Sequence, residues 1–251
     1  MPIDKPEVHP EEAADEVLKL RAELERSQSI AHAAIEELQG FAYAASHDVK
    51  EALRSVGSFS QMLVRHAPPD PELAEYAQFV TDGIHTATAI LDRMNMFARI
   101  DVSPRTSTLA LAVPIQMAVL KLQPSISDAG ASVTFNSLPE VNGNESQLQM
   151  LFENLIDNAI KYRSDDPPRV EISSEETDDG HLVCVRDNGV GIKPEYHEFV
   201  FQPFKRLQGK EIPGIGLGLA ICSKIARGHQ GRLWVESSGV DGSRFNLLLP
   251  Y

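Results

Sequence analysis

Residues 36–54 read EELQGFAYAASHDVKEALR and decide the first half of the fold. In a helix, this stretch and its flanks carry apolar residues at alternating steps of three and four. That is the spacing of a helix that packs against partners in a bundle or coiled coil. We call these positions the seam: Ile35, Leu38, Ala42, Ala45, Val49, Ala52, Val56, Phe59 and Leu63. The unbroken seam predicts one long helix.

His47 falls opposite the seam on the same heptad grid, so the helix holds it rigidly while its ring faces water. Its neighbour Asp48 can accept a hydrogen bond from one ring nitrogen and leave the other nitrogen as a nucleophile. From this helix alone two interpretations are open. A solvated surface histidine is the simpler one, and a reactive histidine is the other. The choice depends on the rest of the chain.

Prolines at 68, 69 and 71 predict that this helix ends near His66. A second amphipathic helix follows, and its apolar positions are Leu73, Tyr76, Val80, Ile84, Ala87, Leu91, Met94 and Ala98. Two long helices joined by a short loop form an antiparallel hairpin. Because a single hairpin leaves much of its seam in water, we expect two copies to pack as a homodimeric four-helix bundle.

Residues 1–30 form an acidic leader that precedes the seam. After a polar start that contains prolines, a charged helix is expected from Glu11. Its apolar positions are Val17, Leu20 and Leu24. Their phase does not match the seam, and the shift near Gln28 is of the kind that alters coiled-coil winding. A frayed leader helix is an equal alternative.

Charge and composition exclude several classes of partner. Asp and Glu number 36 against 23 Lys and Arg, so we expect no nucleic acid and no anionic lipid on the surface as a whole. Cys184 and Cys222 are the two cysteines, which give no disulfide framework and suit a reducing compartment. No apolar run is long enough for membrane insertion. These features predict a cytoplasmic protein.

Residues 101–105, DVSPR, are expected to form a hinge, because the sequence pattern changes there. Beyond it, helical patterns occupy 114–129, 145–162 and 217–228. The β-rich runs occupy 132–135, 169–173, 181–186, 232–236 and 244–249. This alternation predicts an α/β layer in which helices face one sheet.

The first motif of this second region is NLIDNAIKY, residues 154–162. Asn154, Asn158 and Lys161 share one helical face, because they are spaced by four and three. Amide oxygens suit Mg²⁺ that phosphates already hold, and the lysine adds positive charge beside them. An ordinary amphipathic helix is the alternative, although two asparagines in mid-helix are poor helix formers.

Two glycine-rich motifs follow. In DNGVG, residues 187–191, a carboxylate ends a predicted strand and glycines let the backbone approach a ligand closely. This arrangement suits recognition of an exocyclic amine such as that of adenine. In GIGLG, residues 214–218, glycines open a helix whose N-terminal N–H groups favour phosphate. GIGLG is neither a P-loop nor a convincing Rossmann fingerprint, and DNGVG alone could be a plain turn.

In this order the motifs resemble the catalytic core of a two-component sensor histidine kinase, especially of the phytochrome-like type. Residues 46–48 resemble the phosphoacceptor box, 154–162 the N box, 187–191 the G1 box, 201–204 the F box and 214–218 the G2 box. The resemblance extends from about residue 28 to the C-terminus.

The resemblance implies an α+β fold. An N-terminal helical hairpin would form a dimeric four-helix bundle, followed by an α/β sandwich ATP-binding domain of the Hsp90, gyrase and histidine kinase type. The implied divisions are 1–30 for the acidic leader and coiled-coil helix, 31–100 for dimerisation and histidine phosphotransfer, 101–105 for the hinge and 106–251 for the catalytic ATP-binding domain.

The resemblance also implies roles for individual residues. His47 is the expected phosphoacceptor, with Asp48 as its general base or orienting partner, and Asn158 is the expected Mg²⁺ ligand. Asp187 would read adenine, and Arg206 would reach the γ-phosphate. The implied nucleotide-binding set is Asn154, Asn158, Lys161, Tyr162, Asp187, Gly189, Gly191, Arg206, Gly214, Gly216, Leu217 and Gly218. ATP and Mg²⁺ are the implied cofactors.

The implied activity is ATP-dependent autophosphorylation of His47 in a homodimer, followed by phosphoryl transfer to an aspartate of a response-regulator receiver domain. A separate sensor, or a missing N-terminal sensor domain, would supply the signal. The alternative is a dimeric histidine phosphotransferase or scaffold with little kinase activity of its own. A gyrase-type ATPase would need a glutamate where Asn154 stands. Relatives often carry Thr or Asn at the position of Glu51, which leaves phosphatase activity open.

Overall fold

The computed structural model describes residues 10–66, 70–100, 106–207 and 214–251. The chain divides into two compact units, Met1–Ala98 and Arg99–Tyr251. The hinge predicted at 101–105 lies outside the described residues.

The first unit is built from two helices. Helix α1, Pro10–His66, is continuous over 57 residues and extends for about 85 Å at the usual helical rise. Helix α2, Pro71–Arg99, begins with a proline, which has no N–H to leave unpaired at a helix start. Asp70 caps this helix, because the backbone N–H of Glu72 donates to its Oδ1 at 3.0 Å. The proline run therefore separates two helices, as its sequence predicts.

The two helices meet along one side of α1. Half-buried residues of α1 recur there at steps of four, three and four: Leu53, Gly57, Ser60 and Val64. At Gly57, Ile84 Cδ1 lies 3.2 Å from the position that a Cβ would take, so the missing side chain permits this approach. Lys50 and Asp92 form an ion pair across the hairpin.

The seam lies beside this contact and is not covered by α2. Its described side chains are all exposed: Ala45, Val49, Ala52, Val56, Phe59 and Leu63. Phe59 retains 66% of its accessible surface and Leu63 retains 65%. The side chains of Ile35, Leu38 and Ala42 lie outside the description. One copy of the hairpin therefore leaves an apolar stripe in water.

The second unit is a sheet-based domain. Its elements in chain order are β1 (Ser107–Ala110), α3 (Ala112–Asp128), β2 (Ser132–Phe135), β3 (Glu140–Gly143), α4 (Glu145–Lys161), β4 (Arg169–Thr177), β5 (Gly180–Asp187), α5 (Gly218–Gly228), β6 (Arg232–Glu236) and β7 (Arg244–Leu249). Five strands form one sheet in the order β2-β4-β5-β7-β6. Strands β2 and β4 are parallel, and the other neighbours are antiparallel.

The core of this domain lies between the sheet and a layer of three helices, α3, α4 and α5. Helix α4 contributes a wide apolar face: Leu148, Leu151, Phe152, Leu155, Ile156, Ala159 and Ile160. The sheet contributes alternate residues on one face of each strand: Val170, Ile172, Val183, Val185, Val235, Phe245 and Leu247. Full burial of a side chain of this size contributes roughly 1.5–3 kcal/mol, so this layer stabilises the domain within one chain.

Several element boundaries differ from the predicted ones by one or two residues, and three differences are described here. Strands β1 and β3 pair with each other as a separate two-stranded sheet, which the sequence analysis did not predict. Strand β4 continues to Thr177 rather than ending at 173. Helix α4 ends at Lys161, with Tyr162 as its C-cap residue.

Candidate functional site

Helix α4 carries the first group of predicted site residues. Asn144 caps its start by accepting a hydrogen bond from the backbone N–H of Gln147 at 3.0 Å. Further along, the Asn154 Nδ2 donates to the Met150 carbonyl at 2.7 Å, which leaves its Oδ1 for another contact. Lys161, in the last turn, pairs with a carboxylate that the sequence analysis did not single out, that of Asp157.

The N-terminus of α5 faces the amide groups of α4. Gly218 is the first residue of α5, and a Cβ there would lie 3.0 Å from Asn154 Oδ1 and 3.8 Å from Asn158 Nδ2. Glycine at this position leaves room between the first helical amides and the two asparagines, because a side chain would press against Asn154. Those amides have no acceptor within the helix, and the helix dipole adds positive potential, so the space favours an anion.

Asp187 ends β5 and is held by backbone amides. Its Oδ1 accepts hydrogen bonds from the N–H of Gly189 at 2.8 Å and of Ser243 at 3.1 Å. Burial raises the pKa of this carboxyl, and these two hydrogen bonds act in the opposite direction. With Oδ1 engaged, Oδ2 is the oxygen available to a ligand donor.

The loop after β5 joins the C-terminal end of α4. The N–H of Val190 donates to the Tyr162 carbonyl at 3.0 Å. A Cβ on Gly189 would lie 2.4 Å from the same carbonyl oxygen, so only glycine permits this contact. Tyr162 and Gly189 thus connect the helix with Asn158 to the strand with Asp187.

The last predicted residues lie before α5. Gly216 has φ +75°, and a Cβ there would lie 2.5 Å from the Lys205 carbonyl oxygen. The Phe204 N–H donates to the Gly216 carbonyl at 2.9 Å, which brings the F box beside the G2 box. Arg206 follows directly and is half-buried. Three members of the predicted set remain. Gly191 has φ +75°, Gly214 is exposed and Leu217 is buried.

His47 lies on α1 with its side chain 60% exposed, as the heptad grid predicts. The Nδ1 atom stands 3.8 Å from Asp48 Oδ1, which is within ion-pair range but too long for a hydrogen bond. The hydrogen bond considered in the sequence analysis is therefore not formed. The structure brings the nucleotide set together in the second unit and places His47 and Asp48 in the first.

Comparisons with known proteins cover both units. Residues 143–251 match the family of histidine kinase-, DNA gyrase B-, and HSP90-like ATPases. Cyanobacterial phytochrome A from Nostoc is 37% identical over 241 residues, which are 94% of this chain and 31% of the phytochrome. This chain contains a histidine kinase catalytic core. It spans about a third of the length of that curated relative.

Solved structures agree with this assignment. Full-length ShkA in complex with AMPPNP superposes with a TM-score of 0.66 at 20% identity, covering 83% of this chain and 45% of ShkA. At that identity the likeness shows the fold. The mycobacterial sensor histidine kinase MprB is 28% identical with a TM-score of 0.50, covering 58% of this chain and 97% of the MprB structure. The α+β fold predicted from the sequence, with two N-terminal helices and a sheet-based ATPase domain, is confirmed.

The kinase core contains one buried histidine that the sequence analysis missed. His229 accepts a hydrogen bond at Nε2 from the Asn144 N–H at 2.9 Å, so Nδ1 carries the proton and donates to the Ile225 carbonyl at 2.8 Å. Burial lowers the pKa of this imidazole. The neutral ring thereby ties the C-terminal end of α5 to the N-cap of α4, the two helices that carry the nucleotide set. Spacing gave no signal for it.

Two features are absent from the part of the chain that the structure describes. Its residues contain no group of three or more His, Cys, Asp or Glu side chains that could hold a metal ion by itself. No helix among them is long and apolar enough to cross a bilayer.

Proposed function

We propose that this chain is a protein histidine kinase that phosphorylates His47 with ATP. The phosphoryl group then passes to an aspartate of a response-regulator receiver domain. One observation carries this proposal: α5 begins at Gly218, directly against Asn154 and Asn158. A Cβ at Gly218 would lie 3.0 Å from Asn154 Oδ1 and 3.8 Å from Asn158 Nδ2. Such an arrangement would bind an anion at the helix N-terminus beside two asparagine amides, which suits a Mg²⁺-bound triphosphate.

The adenine end of ATP would be read by Asp187. Its Oδ2 is positioned to accept from the exocyclic amine, because the amides of Gly189 and Ser243 fix Oδ1. A partly buried carboxylate gives a stronger and more selective hydrogen bond than an exposed one. The ATPase family match over 143–251 and the nucleotide analogue bound to ShkA support this assignment.

The phosphates would lie at the α5 N-terminus, between the α4 amide face and the backbone at Gly216. Asn158 would hold Mg²⁺ through its amide oxygen together with phosphate oxygens, and the ion would neutralise charge on the transferring group. Lys161 is about a quarter exposed in its pair with Asp157, so its ammonium can also face a phosphate. Arg206 would supply a second cation for the γ-phosphate.

Phosphoryl transfer would proceed through the exposed ring of His47. The Nε2 lone pair attacks the γ-phosphorus while the bond from phosphorus to the β,γ-bridging oxygen breaks, and ADP leaves. The ring then carries excess positive charge, which Asp48 stabilises by accepting the Nδ1 proton in a hydrogen bond shorter than the present 3.8 Å. The predicted hinge at 101–105 would allow the approach.

The hairpin would act as a homodimer, with the exposed seam of one copy packed on that of another. Exposed apolar residues on both helices support this, among them Phe59, Leu63 and Tyr76. The proposed divisions remain a leader at 1–30, dimerisation and phosphotransfer at 31–100 and the ATP-binding domain at 106–251. A sensor in another protein or another segment would set the activity.

Incubation with Mg²⁺ and ATP labelled at the γ-phosphate tests the proposal directly. A label that is lost in acid, retained in base and mapped to His47 is the expected result. A label that survives acid would identify a different kind of acceptor. A protein that binds ATP but takes no label would instead favour the dimeric phosphotransferase or scaffold, for which purified phosphorylated receiver domain is the test donor.

A further inference from the structure

The five-stranded sheet has a second face, opposite the helices, which the proposed function does not use. One row of side chains crosses four strands on this face: Ser173, Cys184, Asn246 and Trp234. The two central members are almost fully buried, with 6% of Cys184 and 2% of Asn246 exposed. Polar groups buried on a sheet face without a helix over it require an explanation.

Cys184 accepts a charged hydrogen bond. The Nε–H of Arg244, from the neighbouring strand, donates to Cys184 Sγ at 2.9 Å. This contact places a fixed positive charge beside the sulfur, which is the kind of surroundings found at reactive cysteines. The strand pairing holds this contact in place, because Arg244 lies diagonally across from Cys184 on the same face.

Asn246 lies directly opposite Cys184 in the strand register. Side chains at such positions share one face, with their Cβ atoms about 5 Å apart. The Nδ2 of Asn246 is buried and has no hydrogen-bond partner among the residues that the structure describes. A buried donor without an acceptor is rare in folded proteins, so its position beside a thiol indicates where an acceptor atom would fit.

A small cavity reaches the same sulfur. Its volume is about 50 Å³, and its lining includes Ser173, Cys184 and Arg244. That space exceeds what a single water needs and suits a molecule of a few heavy atoms. The cavity therefore gives a small oxidant a path to a sulfur that larger reagents cannot approach.

We propose that Cys184 is a peroxide-reactive thiol whose oxidised form this sheet face is built to hold. The sulfur attacks one oxygen of hydrogen peroxide, an S–O bond forms and the O–O bond breaks. The second oxygen leaves as water with the thiol proton, and Cys184 becomes a sulfenic acid. The new oxygen accepts from the unpaired Asn246 amide and from Arg244.

Cys222 provides an internal control in the same domain. It is completely buried in α5, its Sγ donates to the Leu151 carbonyl at 3.5 Å, and burial raises the pKa of its thiol. Cys222 is thus held as a thiol and shielded from solvent. Both cysteines are buried, but Cys184 accepts from Arg244 and lines the cavity, whereas Cys222 donates to a backbone carbonyl.

The test exposes the folded full chain to hydrogen peroxide, removes the peroxide with catalase, and then unfolds the chain in denaturant that contains a 1,3-dione, which traps sulfenic acids. Mass spectrometry of both cysteine peptides then measures labelling without any limit from the size of the trapping reagent. We expect labelling of Cys184 at least tenfold faster than labelling of Cys222. Arg244→Gln is expected to slow labelling of Cys184 about tenfold. The matched control is Arg232→Gln, which removes an arginine of the same face that stacks on Trp234 instead of the thiol.

Two results would overturn the proposal. One is the absence of a Cys184 adduct at millimolar peroxide in wild-type protein, which requires no variant to fold. The other is equal slowing by Arg244→Gln and Arg232→Gln, because that would trace reactivity to the general charge of the sheet face. Circular dichroism shows whether each variant is folded. Labelling of Cys222 is a second check, because unfolding would make Cys222 label as fast as Cys184.

Discussion

Helix α2 of the hairpin has no fully buried side chain among its described residues, whereas helix α4 of the ATPase domain has seven. The domain covers its apolar face with its own sheet, and the hairpin leaves the seam exposed. A region that is completed by another copy depends on protein concentration for its stability, whereas a self-contained core does not. Under the proposed function, the hairpin carries the reaction and the assembly, and the domain carries nucleotide recognition.

The strongest test of this division is His47→Gln. We expect complete loss of the phosphoryl label with unchanged ATP affinity, because glutamine is tolerated in a helix but has no ring nitrogen to accept the group. Autoradiography and calorimetry measure the two quantities. The matched control is His85→Gln, another exposed histidine of the hairpin, which should keep its label. Label persisting on the His47 variant would move the acceptor elsewhere.

The next test places a charge in the seam. Phe59→Glu should weaken dimerisation about a hundredfold, equivalent to about 2.7 kcal/mol, because it would bury an unpaired carboxylate in each copy. Sedimentation equilibrium measures this change. Ser58→Glu serves as the control, since Ser58 is exposed but off the seam. A wild-type chain that remains monomeric at micromolar concentration would contradict the dimer outright.

A smaller effect is expected from Asp187→Asn in the ATPase domain. The NH₂ group of the new asparagine would face either the backbone N–H groups or the exocyclic amine of adenine, and both of these need an acceptor. We expect this mismatch to reduce nucleotide affinity about tenfold, or about 1.4 kcal/mol. Dimerisation should not change. Calorimetry with a non-hydrolysable ATP analogue measures the affinity, with Asp178→Asn in the exposed turn after β4 as control. Equal affinities of the two variants would remove the adenine assignment.

The smallest effect concerns pH and the buried His229. The pKa of His229 is lowered in the folded state, so the unfolded chain binds a proton more readily. The contribution of this residue to the free energy of unfolding is therefore fully present above pH 6.5 and decreases as the pH falls below that value. A series of thermal melts should show this loss in wild-type protein. His229→Gln should be less stable at neutral pH but flatter between pH 6.5 and 5. If the stability of the variant fell with decreasing pH as steeply as that of the wild type, groups other than His229 would be responsible for the loss.

Much of this organisation could be predicted from periodicity. The apolar spacing of α1 and α4 identified both helices, and the apolar runs identified the five strands of the main sheet. Strands β1 and β3 were not predicted because their sequences, STLA and EVNG, contain no clear β-rich run, and each is stabilised by pairing with the other across some thirty positions. No local pattern encodes such a pairing.

The site was predicted unevenly for a similar reason. Glycine spacing located Gly189, Gly216 and Gly218, because the need for a missing side chain is visible in sequence. The partners of charged groups were not visible. The pairing of Lys161 with Asp157 and the burial of His229 depend on which rotamer and which neighbouring element the fold supplies.

Strand β7 lies between β5 and β6 although it comes last among the strands in chain order. During synthesis, β5 and β6 must therefore leave the ribosome with no neighbour on their facing edges. The sheet cannot close until Arg244–Leu249 has been made. Until then two open edges with apolar residues between them can recruit other strands. Nascent chains stalled before Arg244 should thus be targets for chaperones, and release should convert them to the folded domain in one step.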